Sequence, residues 1–340
     1  MLQMRNAAKP RPSVKLTAPV VRVVIDGITE SGRGLLRGIL RYARTNTRWH
    51  LRVEMEPLRP KGLEWDDDDA TIYASHWATL LSEVVARKRP IVNCLAHHEC
   101  ADFKTVRAHD FNIGKLAAHY FLERGFEHFF FYCAKDTSNA AELRSAGFAS
   151  VLGEAGHVAR RHRLEDSTDP MSGLISQILA ISKPVALFVS HDHLAREVAD
   201  VLSSIDLRIP EQVAVLGVDN DELQCDISRP PLSSIQVHYE DIGYRAGAVM
   251  DDILQGKDVS PDTTLIDPIG VMTRQSTAIF AVDEGGKEAL VNSHQRGAFT
   301  VVERREAQFS LRDGTLVTCI FDETAPVVSK SRNYRRRKPL

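Results

Sequence analysis

Short, nearly unbroken apolar runs alternate along this chain with longer stretches whose apolar residues recur every three or four positions. Val20–Ile25 is the first such run, closed by Asp26-Gly27, and it predicts a strand. The SGRGLLRGILRYARTN segment that follows places Leu35, Leu36, Ile39, Leu40 and Ala43 on one helical face. Leu51–Met55, Ala70–Ala74 and Ile91–Leu95 read as further strands, with a helix over Trp77–Lys88 before the last. Over Ile113–Arg124 the stripe of Ile113, Leu116, Ala117, Tyr120 and Phe121 predicts a helix, and Gly125 is its natural stop. Phe129–Cys133 is strand-like, Ala140–Ala155 and Leu174–Ile181 are helical. Val185–Val189 and Val213–Val218 then flank the helix Leu194–Ser204, Tyr239–Gln255 is amphipathic, and Thr264–Ile266 and Val271–Met272 come last.

Apolar, β-branched runs of this kind mark strands covered on both faces, and repeated β-α units imply parallel sheets joined by right-handed crossovers. About nine strands are too many for one comfortable sheet, so the expected fold class is α/β with two lobes, a parallel sheet in each and a three-strand hinge. The expected organisation is a basic N-terminal tail over 1–17, a two-lobed domain over 18–280 and a poorly ordered tail over 281–340. One lobe takes about 18–109 and 238–258, the other about 110–235 and 262–280. In open parallel sheets, ligands sit beyond the carboxyl ends of the strands. Here one strand ends on Ser190-His191-Asp192 and another on Asp219-Asn220, which points to a small polar ligand more than to catalysis.

Composition narrows the class. An apolar content of 43% supports a packed core, and a net charge of −2 does not mark the whole chain as a polyanion binder. The two ends are basic, Arg5 to Lys15 and SRNYRRRKPL, and are read as solvated tails. Five scattered cysteines and the lack of a signal-like or membrane-length apolar stretch predict a reduced, cytoplasmic protein with no membrane association. His97-His98-Glu99-Cys100 near Cys94 has metal-ligating residue types, yet adjacent residues do not converge on one ion, so no metal and no cofactor are expected. Ser190-His191-Asp192 lacks a G-x-S-x-G elbow, and SGRG at 31–34 is a weak anion signal; no enzyme is expected. Asp66–Asp69 reads as a solvated loop.

Several spaced segments carry a resemblance: SGRGLLRGILRYA, AHDFNIGKLAAHYFLERGFEHFFFY, ELRSAGF, LFVSHDHLAREV, IPEQVAVLGVDNDEL and ISRPPLSSIQVHYEDIGYRAGAVM. Together they resemble the sugar-sensing domain of the lactose/galactose-repressor family and the related type I periplasmic-binding-protein fold. The opening GRGLLRGILRYAR, the GVDNDEL turn and the ending VMTRQST look closest to AraC-type xylose-operon regulators. The resemblance spans about residues 18–280. It implies a sugar-responsive transcription regulator with a small sugar effector, a pentose in first place, promoter DNA as partner, and a homodimer. It also implies ligand-binding roles for Arg144, Asp219 and His191, with Ser31 and Arg33 contributed by the first lobe and Asp192 and Asn220 alongside. Sugar hydroxyls donate and accept, so a guanidinium, carboxylates and amides satisfy them in a desolvated cleft.

Simpler readings stand beside these. Arg144 can pair with Glu142, Asp219-Asn220 suits an ordinary turn, Asp192 can cap the helix Leu194–Ser204, and His191 can bond to backbone. The chain also departs from the family. Only 17 residues precede the first strand, and 281–340 shows no helical periodicity for a helix-turn-helix, so a truncated or degenerate DNA-binding part is expected. The alternative is a stand-alone cytoplasmic sugar-binding protein acting through a protein partner. Glu64-Trp65 with Asp66–Asp69 replaces the short Gly-Asp-Gly of relatives, which puts the first lobe's ligand loop in question.

Overall fold

The structure, a computed structural model, describes residues 18–56, 68–75, 78–96, 103–133, 139–163, 170–260 and 262–280, with short strand pairs beyond them. The first lobe opens with β1 (Val20–Asp26), α1 (Glu30–Asn46), β2 (His50–Glu56), β3 (Ala70–Ala74), α2 (Ala78–Ala86), β4 (Ile91–Asn93) and β5 (Lys104–Ala108). The second contains α3 (Asp110–Leu122), β6 (Phe129–Cys133), α4 (Asn139–Glu154), β7 (Ala159–Arg163), α5 (Pro170–Leu179), β8 (Val185–Val189), α6 (Asp192–Ser204), β9 (Val213–Asp219), α7 (Glu222–Ile227) and β10 (Ser233–Gln236). The chain returns through α8 (Tyr239–Leu254), β11 (Thr264–Ile266) and β12 (Gly270–Met272).

Two six-stranded sheets result, ordered β11-β5-β4-β3-β1-β2 and β12-β10-β9-β8-β6-β7. Every pairing is parallel except β10 with β12. Strands β3, β6 and β8 are buried at every position, as their unbroken apolar sequences require of strands sandwiched between helices. The chain passes between the sheets three times, after β5, after β10 and between β11 and β12. This is the expected α/β fold with its three-strand hinge.

Four elements escaped the hydrophobic pattern. β5 (KTVRA), β7 (ARRHR) and β10 (SSIQ) are rich in polar residues, and α7 is too short for a stripe. Residues 262–280 also divide between lobes where the sequence reading kept them in one: β11 pairs with β5 of the first sheet, β12 with β10 of the second. A further correction concerns the acidic run. Asp68 is buried and ion-paired with Arg22, a fully buried residue in the middle of β1 that also pairs with Glu54. Arg52 adds a second contact to Asp68 at 3.1 Å. A guanidinium tolerates the interior of a sheet only when so paired, which is why this carboxylate is not in solvent.

Of the remaining expectations, the basic tail 1–17, Glu64 to Asp67 and His97 to Cys100 lie outside the described residues. So does most of 281–340, where strand pairs such as Ala307–Ser310 with Leu316–Cys319 are described. Among the described residues no helix is long and apolar enough to cross a membrane.

Each lobe is locked by one pair of helices crossing at reciprocal glycines. A Cβ on Gly38 of α1 would lie 2.0 Å from the Glu240 carbonyl oxygen of α8, and one on Gly243 of α8 would lie 2.1 Å from that of Leu35. In the second lobe, a Cβ on Gly114 of α3 would meet the Arg144 oxygen at 1.9 Å, and one on Gly147 of α4 the Phe111 oxygen at 2.0 Å. Backbone thus touches backbone at both crossings. Gly38→Ala and Gly114→Ala should each lower the urea-unfolding free energy by at least about 2 kcal/mol through overpacking. Gly153→Ala, where a Cβ enters open space within α4, should instead raise it by about 0.5 kcal/mol.

Candidate functional site

The strand ends of both sheets face one cleft of about 420 Å³ between the lobes. A volume of this size suits a small molecule. From the first lobe come Asp26 at the end of β1, Thr29 to Ser31 at the start of α1, and Arg107 at the end of β5. Thr29 caps α1 by accepting from the Gly32 amide at 3.2 Å, and its Oγ1 lies 2.9 Å from Ser31 Oγ. The second lobe adds Asp110, Arg144, Ser190, His191, Asp219 and Asp221, while Tyr239 of α8 closes one wall.

Arg144 is buried on α4, its backbone pressed onto Gly114 as described. Its Nε donates to Asp110 Oδ1 at 2.9 Å and its Nη1 to the Ser190 carbonyl. Burial alone would favour its neutral form, but the nearby carboxylates of Asp110 and Asp219 more than offset this and keep the guanidinium charged. Glu142, the partner considered for Arg144 from sequence, instead pairs with Arg161 at 2.5 and 2.7 Å. Opposite stands Asp219, whose Oδ1 accepts from Tyr239 Oη at 2.5 Å. Loss of water raises the Asp219 pKa to about 6, against the opposing effects of Arg144 and the Tyr239 hydroxyl. Burial and the Asp219 charge likewise push the Tyr239 hydroxyl upward.

The turn that carries Asp219 is strained: its φ is 110° and that of Asn220 is 53°, unusual for residues with side chains. What holds it is Asp192. The Asp192 carboxylate accepts from Ser234 Oγ at 2.6 Å and from the Asp221 amide at 2.8 Å, while Ser234 Oγ accepts from the Asn220 amide at 3.0 Å. Gly217 makes the room, since a Cβ there would sit 2.1 Å from Asp192 Oδ1. Burial, then the Asp219 charge, raise the Asp192 pKa well above the carboxylate range.

Of the sequence-predicted residues, Ser31, Arg144, His191 and Asp219 line the cleft together. Arg33, Asp192 and Asn220 are not on its wall. Arg33 is turned toward Asp221, Asp192 into the interior, and Asn220 Oδ1 toward Arg274 Nη2 at 2.9 Å. The capping role is also exchanged: His191 Nδ1, not Asp192, accepts from the Leu194 amide that opens α6. Asp110, Arg107 and Tyr239 were missed. Asp110 follows β5, a strand with no clean apolar signature, and Tyr239 reads in the sequence only as the start of a helix.

Residues 118–277 match the periplasmic binding protein-like domain family. The xylose operon regulatory protein of Haemophilus influenzae is 33% identical over 104 residues, 31% of this chain and 27% of its own. The HTH-type transcriptional repressor PurR of Erwinia tasmaniensis is 30% identical over 178 residues, 51% of this chain and 52% of its own. Among solved structures, the xylose-binding transcription activator xylR superposes with a TM-score of 0.67 at 18% identity, covering 79% of this chain and 70% of that one. The chain therefore has the periplasmic-binding-protein-like fold, and residues 118–277 match that domain family. In sequence it is related to xylose-operon and repressor-type regulators, and it spans between a quarter and a half of the length of these curated relatives.

A carboxylate raised in the folded state favours folding most when protonated. The Asp219 contribution should be fully present below pH 3.8 and be lost as the pH rises through about 6. Unfolding free energies measured by urea titration across that window should fall less steeply in Asp219→Asn than in the parent protein.

Proposed function

We propose that this chain is the effector-binding part of a sugar-responsive transcription regulator of the xylose-operon type, acting in the cytoplasm on a small, uncharged sugar. The observation that carries the reading is the convergence of Arg144 and Asp219 from different elements on one interlobe cleft, together with strand-end groups from both sheets. A pyranose or furanose presents several hydroxyls, each donor and acceptor at once. Arg144 supplies donors, Asp219 and Asp26 supply acceptors, and Ser31 and His191 complete the ring of contacts. Ser190 Oγ is buried without a hydrogen-bond partner among the described residues and adds one more polar group at the wall.

Closure follows from the same geometry. A ligand touching both lobes binds the closed arrangement better than the open one, and that difference in affinity is all a switch needs. A pentose is favoured because relatives are named as xylose-operon regulators. Promoter DNA and a second copy of the chain are the partners this reading entails. Binding rather than turnover fits the chemistry: His191 Nδ1 is engaged by a backbone amide and Asp192 points away from Ser190, so the three neighbours form no hydrolytic triad.

Titration calorimetry against a panel of pentoses and hexoses tests the reading, with a pentose expected to bind. Asp219→Ala and Arg144→Ala should each weaken that binding by about 1.5–3 kcal/mol, the magnitude of hydrogen bonds to charged groups. Unchanged affinity in both variants would move the ligand out of this cleft. Salt-dependent binding of promoter DNA separates this reading from that of a sugar-binding protein acting through a protein partner, since phosphate contacts leave a salt slope.

A further inference from the structure

One residue that the sequence placed among the ligand contacts, Arg33, has another partner. Its guanidinium Nη2 lies 3.2 Å from Asp221 Oδ2, so an ion pair joins α1 of the first lobe to the β9–α7 turn of the second. Among the described residues, other polar contacts that link the lobes lie at the crossovers themselves. Asp110 directly follows β5 and faces Arg107, and Tyr239 directly follows the β10 crossover and donates to Asp219. Arg33 and Asp221 sit on neither crossover.

Both ends of the pair are fixed. Asp221 Oδ1 caps α7 through the Leu223 and Gln224 amides at 3.1 and 3.4 Å, and its own amide is held by Asp192, which leaves Oδ2 for Arg33. Arg33 is held by the Ile28 carbonyl and by Glu30 at 3.4 Å. Glu30 in turn bonds Arg37, and Arg37 Nε reaches Glu240 of α8 at 2.6 Å. Opposite charges therefore alternate from Asp221 through Arg33, Glu30 and Arg37 to Glu240, and the row runs from the second lobe onto the first.

We infer that the Arg33–Asp221 ion pair is a latch that draws the two lobes together before any ligand arrives and so sets how far the ligand-free cleft stands open. The inference needs only the two-lobed cleft, and the proposed sugar specificity builds on the same site. A side chain that is 35% exposed, as Arg33 is, makes a modest ion pair. A modest energy is sufficient here, because the open and closed arrangements of such a hinge differ by little and a small bias moves their populations. With the latch in place, part of the closure is already made when the ligand binds.

Distances between the lobes of the ligand-free full chain test this. Spin labels on non-natural residues at exposed Val85 of α2 and Leu179 of α5, one per lobe, report the open fraction by pulsed electron resonance. Arg33→Met removes the charge from a partly exposed site. Asp221→Asn removes the other charge while keeping an oxygen for the α7 amides. Each should raise the open fraction about two- to fivefold, the double variant should open no further than either single, and high salt should open the parent protein but not the variants. Unchanged distances in Arg33→Met, or additive effects in the double variant, would overturn the latch. Because no ligand is present, these outcomes are separate from the sugar titrations: a shift in distance in a chain that the calorimetric panel finds unable to bind sugar would keep the latch and remove the proposed effector.

Discussion

A carboxylate almost sealed from water governs the geometry of this protein. Asp192 starts α6, yet it faces inward and collects a serine hydroxyl and a backbone amide from the β9–α7 region and β10. Burying such a group without partners would cost several kcal/mol, and its bonds to Ser234 and Asp221 offset that cost while tying three elements at one point. The turn it restrains contains two residues with positive φ, a conformation that a free peptide would leave. The strain is therefore held by one buried anchor, and the direction of Asp219 into the cleft and of Asp221 toward α1 both depend on it. Gly217 belongs to the same device, because any side chain there would occupy the anchor's place.

The cleft chemistry follows from an imbalance set up around that anchor. Arg144 lies between Asp110 and Asp219, so one guanidinium serves two acids, and a tyrosine hydroxyl takes a further share of Asp219. Under the proposed reading, a ligand that brings hydroxyl donors meets the remaining carboxylate lone pairs of such a site. Its polar groups already lie in the orientation they need, and little reorganisation has to be made on binding.

Much of this was legible along the chain, for identifiable reasons. β1, β3, β6, β8 and β9 announce themselves because both faces of a central parallel strand are covered. Strands whose residues face partners other than apolar helices stayed hidden: β10 buries Ser233 and Ser234 to serve hydrogen bonds, and β7 is an edge rich in arginine. The strand-end rule located Ser190 to Asp192 and Asp219 to Asn220. It could not say which side chain of adjacent neighbours turns outward, since that depends on the handedness of the turn and on Gly217, which makes room for Asp192 from 25 residues further along the chain. The Asp66–Asp69 run shows the same limit. Four acids in a row read as solvated, but Asp68 is drawn inside by Arg22, whose position in an otherwise apolar strand is the clue that a charge must come to meet it.

The interleaving of the two sheets has a consequence for biosynthesis. The first lobe lacks its long packing helix and an edge strand until residues 239–266 leave the ribosome, and the second lobe receives its last strand within a few residues of that point. Neither jaw is finished early, so nascent chains expose the apolar faces of both until synthesis of the domain is nearly done. Any product ending before Gly270 would lack the antiparallel edge strand of the second sheet, and one ending before Thr264 would be incomplete in both. Completion of the cleft is therefore all-or-none at the level of translation: the cell obtains both finished lobes or an unfinished chain for its proteases to remove.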